Sequence, residues 1–128
     1  IAHFDEEKCI VRVKYSWFSQ NPFRSIYFAV EAMAAEMSAG MLAFGQVYKR
    51  DPAVSMLVEK VEANFTKKAT GVILFTCEDG LAFQTAVDEA IGNKTGTKLV
   101  SKSIGRNADG IQVAEFTFTW TFKTKNHI

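Results

Sequence analysis

The sequence has little of what builds a metal centre or a disulfide framework. It contains two cysteines and two histidines, and the histidines, His3 and His127, both lie in the terminal segments. These four residues lack the spacing of metal ligands, so we predict no metal site. Two cysteines are also too few for a disulfide framework. We expect Cys9 and Cys77 to be buried free thiols, although the sequence alone leaves a disulfide between them open.

Long apolar runs and an excess of charge of one sign are also missing. No apolar run approaches the roughly 18 residues needed to span a bilayer, and no signal-peptide pattern is visible. We therefore expect a cytoplasmic protein without a membrane partner. Lys and Arg number 15 against 14 Asp and Glu, which leaves a net charge of +1. Nucleic-acid binding through bulk charge needs a basic face, so this balance argues against a nucleic-acid partner.

Motifs for nucleotide binding and for nucleophilic catalysis are absent as well. The chain has no P-loop, no G-x-G-x-x-G and no G-x-S-x-G. Neither histidine has a Ser or Cys partner in a motif, which argues against a Ser-His-Asp or Cys-His mechanism.

What the sequence does contain is the composition of a globular domain with many aromatic residues. Hydrophobic residues make up 48% and charged residues 23%, and there are 11 phenylalanines. The composition rules out a disordered chain, and the length fits a single domain, residues 1–128.

Strand patterns alternate with helix patterns along the chain. Alternating apolar and polar residues, or continuous apolar runs, predict strands over residues 9–18, 56–66, 71–77, 97–104 and 111–125. We expect the strand 71–77 to be buried on both faces and the strand 56–66 to turn Leu57, Val61 and Phe65 to one face. Helices are predicted over residues 25–43 and 81–91. We therefore expect an α+β fold, an antiparallel sheet wrapped around one long helix.

Local signals refine the ends of these elements. Ser25 is a suitable N-cap for the long helix. Gly92 is suited to end the short helix, and we expect Leu81 of that helix to face the core. The residues 107–110 predict a turn. In the last strand the apolar positions switch from odd to even near Ala114 and Glu115, which predicts a β-bulge.

The long helix carries two candidate packing faces. One is an apolar stripe expected in the core: Ile26, Val30, Met33, Met37, Met41 and Phe44. The other has small side chains, namely Ala29, Ala32, Ala39, Gly40 and Ala43. Glu36 lies within the small stripe, so we expect its carboxylate to be partly desolvated. Glu31 lies about 140° away around the helix axis and is expected to be solvated.

The order of elements resembles the hotdog fold, in particular the acyl-CoA thioesterase-related (PaaI-like) branch of that superfamily. The resemblance is carried by Asn21-Pro22-Phe23 before the helix, by residues 34–40 within it, and by the strand pair 61–77. It implies a homodimer, or a dimer of dimers, in which two sheets join edge to edge. It also implies an active site at the dimer interface that hydrolyses acyl-CoA thioesters without a cofactor.

The resemblance also assigns roles to residues. Glu36 matches the helix carboxylate that acts as general base or nucleophile, while a backbone N–H at the helix N-terminus polarises the thioester carbonyl. Asn21, Tyr27 and Phe28 are candidate substrate contacts, although Asn21 also suits a turn before Pro22. Where many relatives carry His-Gly-Gly, this chain has Ile26-Tyr27-Phe28, whose bulk narrows access to the site.

Basic residues offer a candidate subsite for CoA. Lys98 and Lys102, with Lys94 and Arg106 nearby in the sequence, are the residues suited to the CoA phosphates.

Two alternatives remain open from the sequence. One is a non-catalytic hotdog domain that binds acyl-CoA or another apolar ligand. The other is a monomeric curved sheet whose aromatic residues, Phe116, Phe118, Trp120 and Phe122, line a pocket inside one chain.

Overall fold

The computed structural model describes residues 1–14 and 26–124 of the chain. Within them lie two helices and six strands. The strands are β1 (His3–Phe4), β2 (Cys9–Lys14), β3 (Val54–Phe65), β4 (Val72–Cys77), β5 (Thr97–Arg106) and β6 (Gln112–Thr124). The helices are α1 (Phe28–Val47) and α2 (Gly80–Asn93). None of the helices in these residues is long and apolar enough to cross a membrane.

All six strands join one antiparallel sheet in the order β1-β2-β4-β5-β6-β3. Helix α1 packs across this sheet, and α2 lies beside α1 against β5 and β6. The predicted α+β architecture is thus confirmed. Strand β3 forms one end of the sheet, where it pairs with β6 over its whole length.

The core is built on the aromatic residues of β6. Phe116, Phe118, Trp120 and Phe122 alternate with threonines and are each at most 2% exposed. Phe83 of α2 closes over this row, because its ring meets those of Trp120 and Phe122 edge-on at 5.9 and 6.1 Å. Burial of each such ring stabilises the fold by about 1.5–3 kcal/mol. These rings fill the interior, so the alternative of a pocket that they line inside one chain is wrong.

The packing face of α1 differs from the predicted one. Its buried residues recur at spacings of three and four and are mostly small: Glu31, Ala34, Ala35, Ser38, Ala39, Gly40, Leu42 and Ala43. Met33 and Met37, which we expected in the core, are 69% and 43% exposed. The large rings of β6 already fill the space under the helix, and a face of small side chains lets the helix approach them. Met33, Met37 and Phe44 therefore point away from the sheet, whereas Val30 and Met41 of the predicted stripe pack against the edge of the core.

Strand β4 is covered on one face only, contrary to its predicted burial on both. Ile73, Phe75 and Cys77 are fully buried, whereas Leu74 is exposed. Both helices pack on the same face of the sheet, so the other face has no cover within the described residues.

Two bulges set the directions of the side chains in the long strands. In β6, Val113 is the extra residue, since Gly105 pairs with Ala114 and Arg106 with Gln112. The predicted bulge is confirmed within one or two residues. In β3, Glu59 is an extra residue, since Val58 pairs with Trp120 and Lys60 with Thr119.

The bulge in β3 reverses the alternation of the strand. Leu57 pairs with Thr121 and lies on the outer face, whereas Val61 and Phe65 lie on the helix side. The prediction that all three share one face is wrong, because a bulge shifts the alternation by one residue.

The helix ends also differ from prediction. Helix α1 begins at Phe28 with Tyr27 as its N-cap, rather than after Ser25, which lies outside the described residues. Helix α2 continues through Gly92 to Asn93, and its C-cap Lys94 adopts a left-handed conformation with φ of 60°. Leu81, expected inward, is exposed.

The predicted turn at residues 107–110 is confirmed. The side chain of Asn107 accepts hydrogen bonds from the N–H groups of Asp109 and Ile111, and Gly110 has a positive φ of 78°.

The two cysteines face each other across neighbouring strands. Cys9 of β2 is paired directly with Cys77 of β4, and both are fully buried free thiols, as predicted. Burial raises the pKa of Cys77 to about 12. The thiolate, which is the reactive form, is therefore scarce at neutral pH.

Candidate active site

Glu36 lies in the middle of α1, at the border between its two faces. Ala39 and Ala43 on one side are buried against the sheet, and Met33 and Met37 on the other side are exposed. The Glu36 side chain is itself exposed in the single chain. The carboxylate is thus free to meet a substrate or a second subunit. The partial desolvation of its carboxylate stays a prediction.

The Glu36 carboxylate rests over a glycine one helical turn further on. A Cβ atom placed on Gly40 would lie 2.9 Å from Oε1 of Glu36 and 3.6 Å from Cη2 of Trp120. The carboxylate therefore lies close to the helix backbone, on the side that faces β6.

An apolar surface lies open beside this carboxylate. It comprises Met33, Met37 and Phe44 of α1. On the helix side of β3, Val61 and Phe65 are exposed as well. Val61 is 52% exposed although it sits on the face that elsewhere forms the core. An exposed carboxylate next to open apolar surface can hold a reacting polar group while the rest of a ligand contacts carbon.

Tyr27 and Phe28 form the N-terminal end of α1. Their ring centroids are 4.9 Å apart, and Phe28 meets Phe65 of β3 edge-on at 6.4 Å. Both residues are exposed. The Tyr27 carbonyl accepts the N–H groups of Val30 and Glu31. The earliest N–H groups of a helix have no acceptor within it, and the helix dipole adds a partial positive charge there, which suits a developing oxyanion.

Glu31 is buried, although we expected it to be solvated. Its side chain is 4% exposed, and its Oε1 has no hydrogen-bond partner among residues 1–14 and 26–124. Burial raises the pKa of this carboxyl group from 4.5 to about 7. It shares the buried face of α1 with Ala34, Ala35 and Ser38, which follow it by three, four and seven residues. This helical spacing was the signal in the sequence that could have placed Glu31 on the buried face. A buried acid of this kind is uncharged over much of the acidic range.

Buried hydroxyl groups connect α1 to the sheet, which the sequence did not predict. Ser38 donates to the Ala35 carbonyl at 2.7 Å, and its Oγ lies 2.6 Å from Oγ of Ser103. Trp120 Nε1 donates to Ser101 Oγ at 3.0 Å. Ser101 and Ser103 are alternate residues of β5 and so face the helix together. These bonds fix the helix and the indole ring near Glu36.

The predicted CoA contacts lie on the other side of the sheet. Lys98 and Lys102 project from the outer face of β5, where they form ion pairs with Glu59 at 3.0 Å and Glu115 at 3.2 Å. The structure does not bring them together with Glu36 within one chain. Asn21, the remaining predicted contact, lies outside the described residues.

Metal ligands are not clustered in the part of the chain that the structure describes. No group of three or more His, Cys, Asp or Glu side chains there is arranged to hold a metal ion.

Solved structures of several bacterial proteins resemble this chain. A Pseudomonas aeruginosa protein described as a probable thioesterase has a TM-score of 0.81 at 15% identity, covering 93% of this chain and 78% of that one. A variant of a Staphylococcus aureus thioesterase has a TM-score of 0.73 at 14% identity, covering 96% and 91%. A Bacillus halodurans protein solved with CoA has a TM-score of 0.64 at 12% identity, covering 88% and 66%. The fold is the hotdog fold, as the sequence resemblance implied.

Within this class of fold, the chain belongs to the family described as "Domain of unknown function (DUF4442)". The family profile matches residues 1–122. Among curated proteins, none matches the chain significantly.

Proposed function

We propose that the protein is a homodimeric acyl-CoA thioesterase in which Glu36 activates the attacking water. The observation that carries this proposal is the position of Glu36, an exposed carboxylate on the central helix beside an open apolar surface. Thioesterases share the fold, and one structure with the fold contains CoA, which supports the choice of substrate class.

The proposed reaction is attack of water on the thioester carbonyl. Glu36 accepts a proton from the water as its oxygen bonds to the carbonyl carbon. The N–H groups at the start of α1 stabilise the negative charge that develops on the carbonyl oxygen. The C–S bond then breaks, and the CoA thiolate takes the proton that Glu36 accepted from the water. The products are a carboxylic acid and free CoA.

The dimer is proposed from the free edge of the sheet. Strand β3 is 12 residues long and forms the end of the sheet, so its outer edge has no strand partner among the described residues. A long unpaired edge is a template for pairing with another chain. A second β3 at this edge would join two sheets and cover Val61 and Phe65. We propose that the reaction takes place at this interface.

Substrate contacts are proposed on both sides of the carboxylate. The acyl group would lie on the apolar surface near Tyr27 and Phe28, and Asn21 would contact the polar part of the thioester. Lys98 and Lys102 remain the proposed partners of the CoA phosphates. Each would first have to leave a surface ion pair, which contributes about 0–1 kcal/mol and so presents little obstacle.

One observation favours a second function, namely an acyl-CoA-binding protein without turnover. The rings of Tyr27 and Phe28, tilted 53° to each other, occupy the start of α1, where a thioester carbonyl would have to approach. Such a protein would bind CoA saturably without releasing a thiol.

A thiol-release assay with short, long and aromatic acyl-CoAs tests the proposal. We expect turnover with at least one class, and light scattering should give the mass of a dimer. Saturable CoA binding without release from any acyl-CoA would contradict the enzyme and favour the binding protein.

A further inference from the structure

Gly40 occupies a position where a helix would ordinarily carry another residue. It lies within α1, has no positive φ, and is flanked on the same side by Ala39 and Ala43. Glycine in a helix interior is about 1 kcal/mol less favourable than alanine. The backbone conformation therefore does not require glycine at this position.

The space beside Gly40 is taken by the carboxylate of Glu36. A Cβ atom on Gly40 would lie 2.9 Å from Oε1 and 3.4 Å from Cδ of Glu36. The first distance is shorter than a normal van der Waals contact, so a methyl group at position 40 would displace the carboxylate from its place beside the helix.

The other neighbour of Gly40 is a fixed ring. Cη2 of Trp120 would lie 3.6 Å from the same Cβ, and the indole is 1% exposed. Its Nε1 donates to Ser101, and its ring packs edge-on against Phe83. The ring cannot yield easily, whereas the end of the Glu36 side chain can. A side chain at position 40 would therefore act on the carboxylate.

We propose that Gly40 is a positioning residue for Glu36, leaving the gap in which the carboxylate rests between helix backbone and indole. This inference depends on the proposed thioesterase function for its kinetic consequence. The 2.9 Å distance has to grow by roughly 0.5 Å to become an ordinary contact, and a misplacement of about 1 Å at a reacting group can reduce the rate by about 100-fold. Gly40→Ala should thus lower kcat by about 10- to 100-fold and leave KM within about twofold.

Gly45 in the same helix provides a matched control. It is exposed, and a Cβ on it would lie 3.5 Å from Cζ of Phe4, an ordinary contact far from Glu36. Alanine at either position gains the same helix propensity, so both variants should have a Tm equal to or above that of the wild type. Only Gly40→Ala should have a lower kcat than the wild type. A Gly40→Ala enzyme with kcat within twofold of wild type would overturn the inference.

A double-mutant cycle separates positioning from a structural effect. In the Glu36→Gln background the carboxylate is already absent, so adding Gly40→Ala should cause little further loss of the residual rate. An equal fold-loss in both backgrounds would overturn the inference, because Gly40 would then act independently of Glu36.

Crystal structures of wild type and Gly40→Ala give a readout that does not need turnover. We expect the Glu36 carboxylate to lie over residue 40 in the wild type and to be displaced in the variant. If no acyl-CoA is hydrolysed by the wild type, the proposed function fails while this structural test still decides the role of Gly40. A carboxylate in the same place in both structures would overturn the inference.

Discussion

Replacement of Glu31 by glutamine should remove a large part of the pH dependence of stability. Among the described residues, Glu31 is the one buried side chain of the Asp, Glu, Lys, Arg and His types. The other buried titratable groups are the thiols of Cys9 and Cys77. Burial raises the pKa of Glu31 from 4.5 to about 7. Glutamine keeps the size of the side chain and cannot ionise.

The sign follows from proton binding in the two states. Below pH 4.5 the carboxyl group is protonated in both the folded and the unfolded chain. Between pH 4.5 and about 7 the unfolded chain has lost the proton and the folded chain has kept it, so stability falls as the pH rises. Above that window both states are ionised and the effect is constant. At about 1.36 kcal/mol per pKa unit, the loss is at most about 3 kcal/mol.

Urea unfolding between pH 4.5 and 8, at one protein concentration, measures this difference. The free energy of unfolding of Glu31→Gln, relative to wild type, should rise across the window by up to about 3 kcal/mol. Glu36→Gln, which removes an exposed carboxylate from the same helix, is the matched control and should not reproduce the change. Parallel pH curves for wild type and Glu31→Gln would refute the reasoning.

Three further predictions concern the helix contact, the dimer and the substrate surface. Ser38→Ala should lower the free energy of unfolding in urea by about 1–2 kcal/mol, because it leaves the buried Ser103 hydroxyl with one partner fewer. Adding Ser103→Ala should lower it by less than a second loss of that size, and strictly additive losses would contradict the pairing. Val61→Lys should lower the mass measured by light scattering from dimer to monomer, whereas Leu57→Lys on the outer face should not. If both variants are dimers, the helix side of β3 is not part of the dimer interface. Phe28→Ala should change the ratio of kcat/KM between aromatic and short acyl-CoAs, and an unchanged ratio would exclude Phe28 from the substrate surface.

Local patterns allowed much of the sheet to be predicted. The alternation from Phe116 to Phe122 indicates which face of β6 is buried, and residues 107–110 carry the turn chemistry themselves. The bulge in β6 could be predicted because the apolar residues of the strand switch from odd-numbered to even-numbered positions. The bulge at Glu59 leaves a similar change, from Met56 and Val58 to Val61 and Phe65. It was missed because Leu57 is an exposed apolar residue at an odd position, so the odd positions looked like one continuous apolar face.

The faces of α1 could not be assigned from hydrophobicity. The stripe with Met33 and Met37 is the more apolar one, but the aromatic residues of β6 fill the core, and most side chains above them are small. Which stripe faces the sheet thus depends on partners distant in sequence. The same error hid Glu31, which shares the small face with Ala34 and Ala35.

The candidate site was predicted only in part. Glu36 was named from a family resemblance, and its catalytic role stays a prediction. The gap at Gly40 and the fixed ring of Trp120 depend on distances between helix and sheet, which no sequence pattern encodes.

Thiol release by wild type and Glu36→Gln, on the same panel of acyl-CoAs, tests the central claim most directly. Light scattering on both proteins should first establish that the variant keeps the oligomeric state of the wild type. We predict turnover by the wild type and a loss of at least about 100-fold in kcat for the variant, since a general base contributes about 10²- to 10⁴-fold. Equal turnover by the two proteins would contradict the role of Glu36, and an inactive wild type would contradict the thioesterase itself.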